Sequence, residues 1–281
     1  MESHYLSERE IGWFRDYLLT EEKSANTVEK YLRDARAFAS FAGGREVTKK
    51  LAVAYKQELL DRGYAVRSIN SMLAGINSLF VFLGWHDCRV KAIRRQAELF
   101  CSEDRELTKA EYLRLLNAAR QKKNERLHLL IQTICGTGIR VSELQFITVE
   151  AAKAGQTSVR CKGKIRTVFL VKGLKKKLLQ YAKEKGIAAG PIFITRNGRP
   201  VSRTNIWREM KALCAAAGVS PHKVFPHNLR HLFARTFYGL EKDIAKLADI
   251  LGHSSINTTR VYIVSSGREH RARLEKMDLI V

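Results

Sequence analysis

Residues 225–234 read FPHNLRHLFA, and the meaning of this stretch decides what kind of molecule the chain is. It packs His227, Arg230 and His231 into five residues around Leu229. On a helix, His227 shares a face with Arg230 and also with His231. Two histidines one turn apart raise the question of a metal pair. Against it, no acidic residue lies between them, no third ligand is obvious, and an arginine beside the pair would repel a cation. The stronger reading is an anion site, because a planar guanidinium suits phosphate oxygens.

Working outward, residues 251–263 read LGHSSINTTRVYI. His253 stands nine residues before Tyr262, a candidate nucleophile. A phenol titrates near 10 when unperturbed, so it needs help to attack. Two arginines and a bound phosphate would hold it in line, and a neighbouring histidine would help move its proton. Upstream, GTGIRVSEL at 136–144 places Arg140 after a glycine turn and Glu143 three residues later. On a helix that spacing puts guanidinium and carboxylate on one face; in isolation it is an ordinary surface ion pair. CKGKIR at 161–166 is a basic hairpin tip, which in isolation is a solvated turn and in this company a lysine delivered to a phosphate.

Composition agrees. The 281 residues carry 50 Lys+Arg against 28 Asp+Glu, a formal net charge of +22. Such an excess implies a polyanionic partner. It is unevenly placed: residues 1–102 hold 16 basic and 13 acidic side chains, residues 103–281 hold 34 and 15. The second part is expected deepest in the phosphate field. Five scattered cysteines without a CxxC suit a reducing cytosol and give neither a disulfide framework nor a zinc knuckle. No apolar run is long enough to cross a membrane, and the N-terminus lacks a signal-peptide layout, so a cytoplasmic protein is expected. There is no P-loop and no carboxylate cluster for a two-metal nuclease. Phosphoryl transfer without metal or ATP needs cationic side chains and a covalent route that stores the bond energy. Arg, Lys, His and Tyr supply that set, with no cofactor and no metal expected.

Residues 1–87 read as four amphipathic helices. One lies at about 7–19. The next, SANTVEKYLRDARAFASFAGG, puts Val28, Tyr31, Leu32, Ala35, Phe38 and Ala39 on one face and stops at Gly43-Gly44. A third runs from Thr48 as cap to Gly63. The fourth places Ile69, Met72, Leu73, Ile76, Phe80 and Leu83 inward and stops at Gly84. Short loops between such helices predict a bundle. Residues 88–106 are charged, lack a clear apolar face and read as an exposed linker. Residues 107–281 begin with a helix that starts at Thr108 and a strongly apolar helix ending on glycines. A β-hairpin around Lys162-Gly163-Lys164 follows, then a short strand PIFIT at 191–195, and helical patterns from about 202 onward. The fold class is mainly α with a small sheet.

In chain order, GTGIRVSEL, a basic hairpin, HNLRH and LGHSSINTTRVY resemble the tyrosine recombinase (phage integrase) family. The joint spacing of H-x-x-R-H and LGH-x8-Y carries the resemblance; either alone would be weak. It covers essentially the whole chain, and the size, without an extra arm-binding domain, is most similar to Xer-type or simple transposon and phage integrases. The resemblance implies an N-terminal SAM-like core-binding domain and a C-terminal catalytic domain that clamp DNA from opposite sides. It implies that Arg140 and Arg230 contact the scissile phosphate and that His227 and His253 complete its cage. Tyr262 attacks to give a 3′-phosphotyrosyl intermediate, Glu143 orients Arg140, and Lys162 protonates the leaving 5′-oxygen. The family hairpin often reads G-K-G-x-K-x-R; here it is one residue shorter with Cys161 in the glycine place, so Lys164 competes with Lys162. The partners implied are double-stranded DNA and further copies of the chain, four on two duplexes, with a tail beyond Tyr262 linking protomers, and no membrane. The rivals are a DNA-binding protein on the same scaffold without chemistry, and a type IB topoisomerase-like relaxing enzyme.

Overall fold

The computed structural model of the chain describes residues 3–94, 105–161 and 164–263. The chain divides into two compact units, Met1–Ala97 and Glu98–Val281.

The first unit is a helical bundle of α1 (Glu8–Thr20), α2 (Ala25–Ala42), α3 (Lys49–Asp61) and α4 (Val66–Phe82). Each of the first three starts where a hydroxyl satisfies a free backbone N–H: Ser7, Ser24 and Thr48 accept from Arg9, Thr27 and Leu51. At Ser7 the cap is reciprocal, because Glu10 accepts from the Ser7 amide at 2.9 Å. The apolar faces meet inside. Ile11, Phe14 and Leu18 pack with Val28, Leu32, Ala35 and Leu79, while Phe38 packs edge-on to Tyr55 and Phe80. Burying one such aromatic stabilises by about 1.5–3 kcal/mol, so this half is held mainly by its core. Met72 and Leu83, expected inward, are only half-buried.

The stretch after α4 does not begin as exposed chain. Cys88 and Val90 are buried. The side-chain amide of Asn77 both donates to Val90 O (2.8 Å) and accepts from Val90 N (2.9 Å). Asn70 repeats this with Ile93, at 3.0 and 2.8 Å. The charges at Arg89, Lys91 and Arg94 hid this, because the tie is made by the backbone.

The second unit is built round α6 (Glu125–Thr137), whose Leu127, Leu130, Ile131 and Ile134 are almost wholly buried. Against it pack α5 (Lys109–Gln121), α8 (Lys172–Glu184), α9 (Arg203–Lys211) and α11 (Pro226–Glu241). The short α7 (Val149–Ala154) leads into an antiparallel hairpin, β1 (Gln156–Cys161) and β2 (Lys164–Phe169), and α10 (Cys214–Ala217) follows α9. Cys161 pairs with Lys164, so the turn is two residues long. The tip, with Lys162, lies outside the described residues. Two further helices, α12 (Ile244–Leu251) and α13 (Ile256–Ile263), follow α11. PIFIT is not a strand: Pro191 and Ile194 make only isolated bridges, to Thr148 and Pro200. The Val201 amide donates to Phe193 O and the Thr195 amide to Arg199 O, so the segment folds back on the residues just after it. Among the described residues no helix is long and apolar enough to cross a membrane.

Candidate active site

α12 ends at Gly252, and three successive carbonyls at that end each receive an arginine. Arg166 Nε donates to Ile250 O (3.2 Å), Arg230 Nη2 to Leu251 O (2.7 Å) and Arg140 Nη2 to Gly252 O (3.3 Å). The last carbonyls of a helix have no partner in the helix and sit at its negative end, so cations settle there. Gly252 makes the geometry attainable. Its φ is +64°, and a Cβ there would stand 2.6 Å from Arg166 Cδ. Gly138 does the same on the other side. Its φ is +65°, a Cβ would meet Phe233 at 2.5 Å, and its carbonyl accepts from Arg230 Nη1.

Arg140 is not inside an α-helix. It caps a 3₁₀ turn, Val141–Phe146, at the end of the α6 loop. Glu143 accepts from the Arg140 amide and from its guanidinium, both at 2.9 Å. Nor is this a surface pair: the Glu143 side chain is 3% exposed. Arg166 adds a bidentate contact, Nη1 to Oε1 at 2.9 Å and Nη2 to Oε2 at 2.7 Å. Burial alone would raise the carboxyl; hydrogen bonds from Arg166 and Arg140 outweigh it and hold it at about 2.

α11 supplies His227, Arg230 and His231. Pro226 opens the helix, where a missing N–H costs nothing. Asn228, in the first turn, is buried and donates to Arg105 O (2.7 Å) and Lys223 O (2.8 Å). Arg235, two turns on, pairs with Glu106. Arg230 is 2% exposed. Burial, then Arg140, lowers it to about 10, with Tyr262 opposing the shift, so it stays charged at neutral pH.

His253 accepts a contact from Arg230 Nη2 at Nε2 (3.0 Å) and meets Thr259 Oγ1 at Nδ1 (2.8 Å). A guanidinium only donates. Nε2 therefore accepts, and the proton sits on Nδ1, donated to Thr259, which is fully buried. Burial, then Arg230, lowers His253 to about 4. His231 is lowered to about 4 by burial, then by His227 and Arg230. His227 keeps an exposed side yet is also lowered, by desolvation, then Arg230 and Arg140. All three imidazoles are neutral at pH 7.

They surround Tyr262, which is 5% exposed. Its ring lies 4.2 Å from His231, 5.4 Å from His253 and 5.6 Å from His227, centroid to centroid. The structure thus brings Arg140, Glu143, His227, Arg230, His253 and Tyr262 together. Lys162 is outside the described residues, as is the chain beyond Ile263. Arg166, Asn228 and Thr259 escaped the sequence reading. Only Arg166 left a signal there, as a basic residue at an inward position of an alternating strand, between exposed Ile165 and Thr167.

The rings of His227 and His231 lie 4.8 Å apart, edge to face. They have Arg230 beside them and, among the described residues, no third donor. Among the described residues the group of three close donors is His4, Asp87 and Cys88, in the first unit. Burial pushes the Cys88 thiol up to about 11, and its Sγ donates to Val47 O, so it keeps its proton rather than offering a thiolate.

Residues 105–268 match the model of the phage integrase family, and residues 11–87 match that of the phage integrase N-terminal SAM-like domain. The chain is 28% identical over 274 residues to tyrosine recombinase XerA of Pyrococcus furiosus, covering 95% of this chain and 93% of the relative. It is 30% identical over 288 residues to tyrosine recombinase XerD of Bradyrhizobium diazoefficiens, covering 89% and 90%. Among solved structures, a lambda integrase dimer bound to a COC′ core site shares the fold at a TM-score of 0.74 and 19% identity, covering 95% of this chain and 79% of that one. With the family model spanning more than half of its length, the chain belongs to the phage integrase family.

Proposed function

We propose that this chain, a tyrosine-type site-specific recombinase, cuts and rejoins double-stranded DNA through a 3′-phosphotyrosyl link on Tyr262, with neither metal nor ATP. The observation that carries the proposal is the enclosure of the Tyr262 ring by Arg230 and three neutral histidines, with Arg140 on the same helix end. Arg140 and Arg230 bind the phosphate's oxygens and His227 donates to it; His253 completes the cage by accepting from Arg230 at Nε2, its own proton being given to Thr259. The Tyr262 oxygen attacks phosphorus while the bond to the 5′-oxygen breaks. The phenol proton passes to a neutral imidazole beside it, and Lys162 supplies a proton to the leaving 5′-oxygen. The positive charges stabilise the oxygens most as charge builds in the transition state. The attack of the 5′-hydroxyl on the phosphotyrosine reverses the step and conserves the bond energy. Glu143 orients Arg140. Tyr262 and Arg230 are both nearly buried, so α13 yields when a phosphate enters.

Residues 1–87, with 88–93 packed onto them, act as the core-binding domain, the rest of 88–106 as linker and 107–281 as catalytic domain. The charge excess of residues 103–281 supplies sequence-independent affinity; base edges in the grooves supply selection. The reaction belongs in the cytoplasm, with its DNA. We extend the assembly to four copies on two duplexes. The lambda integrase dimer on its core site supports assembly of more than one copy on DNA. The named relatives favour recombination over a binding protein without chemistry or a relaxing enzyme.

A nicked suicide duplex tests the central step. In excess EDTA the wild-type protein forms a covalent adduct with the DNA, and Tyr262→Phe forms none while binding the duplex within about twofold of wild type, since only one oxygen is removed. Adducts from Tyr262→Phe would place the nucleophile elsewhere.

A further inference from the structure

We infer that Arg166 is a positioning residue: by holding the buried charge of Glu143 it leaves Arg140 free to pass from that carboxylate to a phosphate. This rests on the reading that Arg140 binds the scissile phosphate.

Three charges meet at this point. Glu143 is 3% exposed, Arg166 9% and Arg140 31%, each counted on its side chain. Arg166 grips both carboxylate oxygens, at 2.9 and 2.7 Å, whereas the Arg140 guanidinium reaches only Oε1. With Arg140 alone, the pair would be neutral. A phosphate that drew Arg140 away would then leave a carboxylate buried without a partner cation, which is strongly unfavourable. With Arg166 present the triad carries a net single positive charge. Arg140 can then turn while Glu143 keeps a bidentate partner and its bond to the Arg140 amide.

Arg166 is itself unable to follow. Its Nε is bound to Ile250 O, and its Cδ lies against Gly252, where a Cβ would stand at 2.6 Å. Val159 opposite it on β1 is buried. Its hydrogen bonds go to Glu143 and Ile250 O and its side chain is 9% exposed, so its effect passes through Glu143. It also ties β2, the strand that follows the hairpin tip with Lys162, to the end of α12.

The test is a cycle of four proteins: wild type, Arg166→Gln, Glu143→Gln and the double variant. Three quantities are read: single-turnover adduct formation on the suicide duplex, DNA affinity with its salt dependence, and Tm. Arg166→Gln should slow adduct formation by at least about tenfold, because Glu143 then competes with the phosphate for Arg140. Affinity should stay within about twofold and the salt slope should not change, since no phosphate contact is lost. The double variant should cleave faster than Arg166→Gln and no slower than Glu143→Gln, and should melt above Arg166→Gln, because the unpaired carboxylate is gone. Losses that simply add in the double variant, or a rate for Arg166→Gln equal to wild type, would overturn the inference. So would a salt slope lowered by about one unit, which marks a direct phosphate contact. If Arg166→Gln does not fold, the double variant decides: it folds and forms adduct, or the inference fails. A wild-type protein that forms no adduct on Tyr262 would instead sink the reading of the site, while the Tm cycle would still report on the Glu143–Arg166 link.

Discussion

Asp34 and Glu143 are both carboxylates with side chains 3% exposed, one in each unit, and they are compensated in opposite ways. Asp34 takes its cation from its own helix, Lys30 one turn earlier, and Lys30 reaches on to Ser71 O of α4 at 2.7 Å. A second cation, Arg33, stands 4.0 Å from Asp34 but is 75% exposed, so the close balance is local and the product is a staple between α2 and α4. Glu143 takes one cation from three residues away and another from a strand 23 residues on. There the cations outnumber the carboxylate, and Arg230 lies close enough for Arg140 to lower it. A balanced buried acid closes a structure, whereas an overcompensated one leaves room for an anion.

The contrast breaks if substitutions at the two places have similar effects. Arg140→Ala and Arg230→Ala should each slow cleavage by about 10²–10³-fold, the usual cost of removing a donor aimed at developing charge. DNA affinity should fall far less. Lysine should rescue poorly, lacking the planar fork. Equal losses in binding and cleavage would make these arginines ordinary backbone contacts. Asp34→Ala should instead cost about 1–3 kcal/mol of stability by stranding its partner, read as a lower Tm. Cleavage by the folded protein should change less than about twofold. A cleavage defect in Asp34→Ala as deep as that of Arg140→Ala would erase the distinction.

The smallest effect sharpens it. His231 and His253 are held at about 4, against 6.5 for a free imidazole. Between those values the unfolded chain binds protons that the folded one does not. The stabilisation is therefore present above pH 6.5 and is lost as pH falls toward 4. Glu143 acts lower, keeping its contribution above 4.5 and losing it as pH falls toward 2. Tm should thus decline from pH 6.5 to 4, and His231→Phe should flatten that decline while leaving the ring contact with Tyr262 in place. His227, Arg230 and Tyr262 face His231 and remain in the variant. A slope unchanged in His231→Phe would show that His231 takes up its proton in the folded state.

How much of this was legible depended on which atoms did the holding. Ser24, Thr48 and Thr108 cap α2, α3 and α5 as their sequence positions predict, because a cap is a property of a few consecutive residues. The face from Val28 to Phe38 was readable for the same reason. Arg140, Glu143, His227, Arg230, His253 and Tyr262 were nameable because HNLRH and LGH-x8-Y together resemble a known family; each motif alone reads as an ordinary turn or ion pair. What could not be read was work done by main-chain carbonyls. Nothing in the letters of Ile250, Leu251 and Gly252 says that they hold three arginines. The bridge from PIFIT to Thr148 was likewise decided by a distant backbone partner.

Asn70 and Asn77 offer a different kind of lesson. Seven residues of helix advance about 10.5 Å, a span that the three steps from Val90 to Ile93 cover only when extended, at about 10 Å. Two asparagines at that interval therefore form a vernier along α4, on which helical and extended rises coincide. The departing chain is indexed by it in direction and in phase. A shift by one residue would break all four amide bonds at once, and no intermediate setting would restore any of them. The path out of the first unit is in this sense counted as well as packed, whatever side chains Arg89, Lys91 and Arg94 present to the solvent.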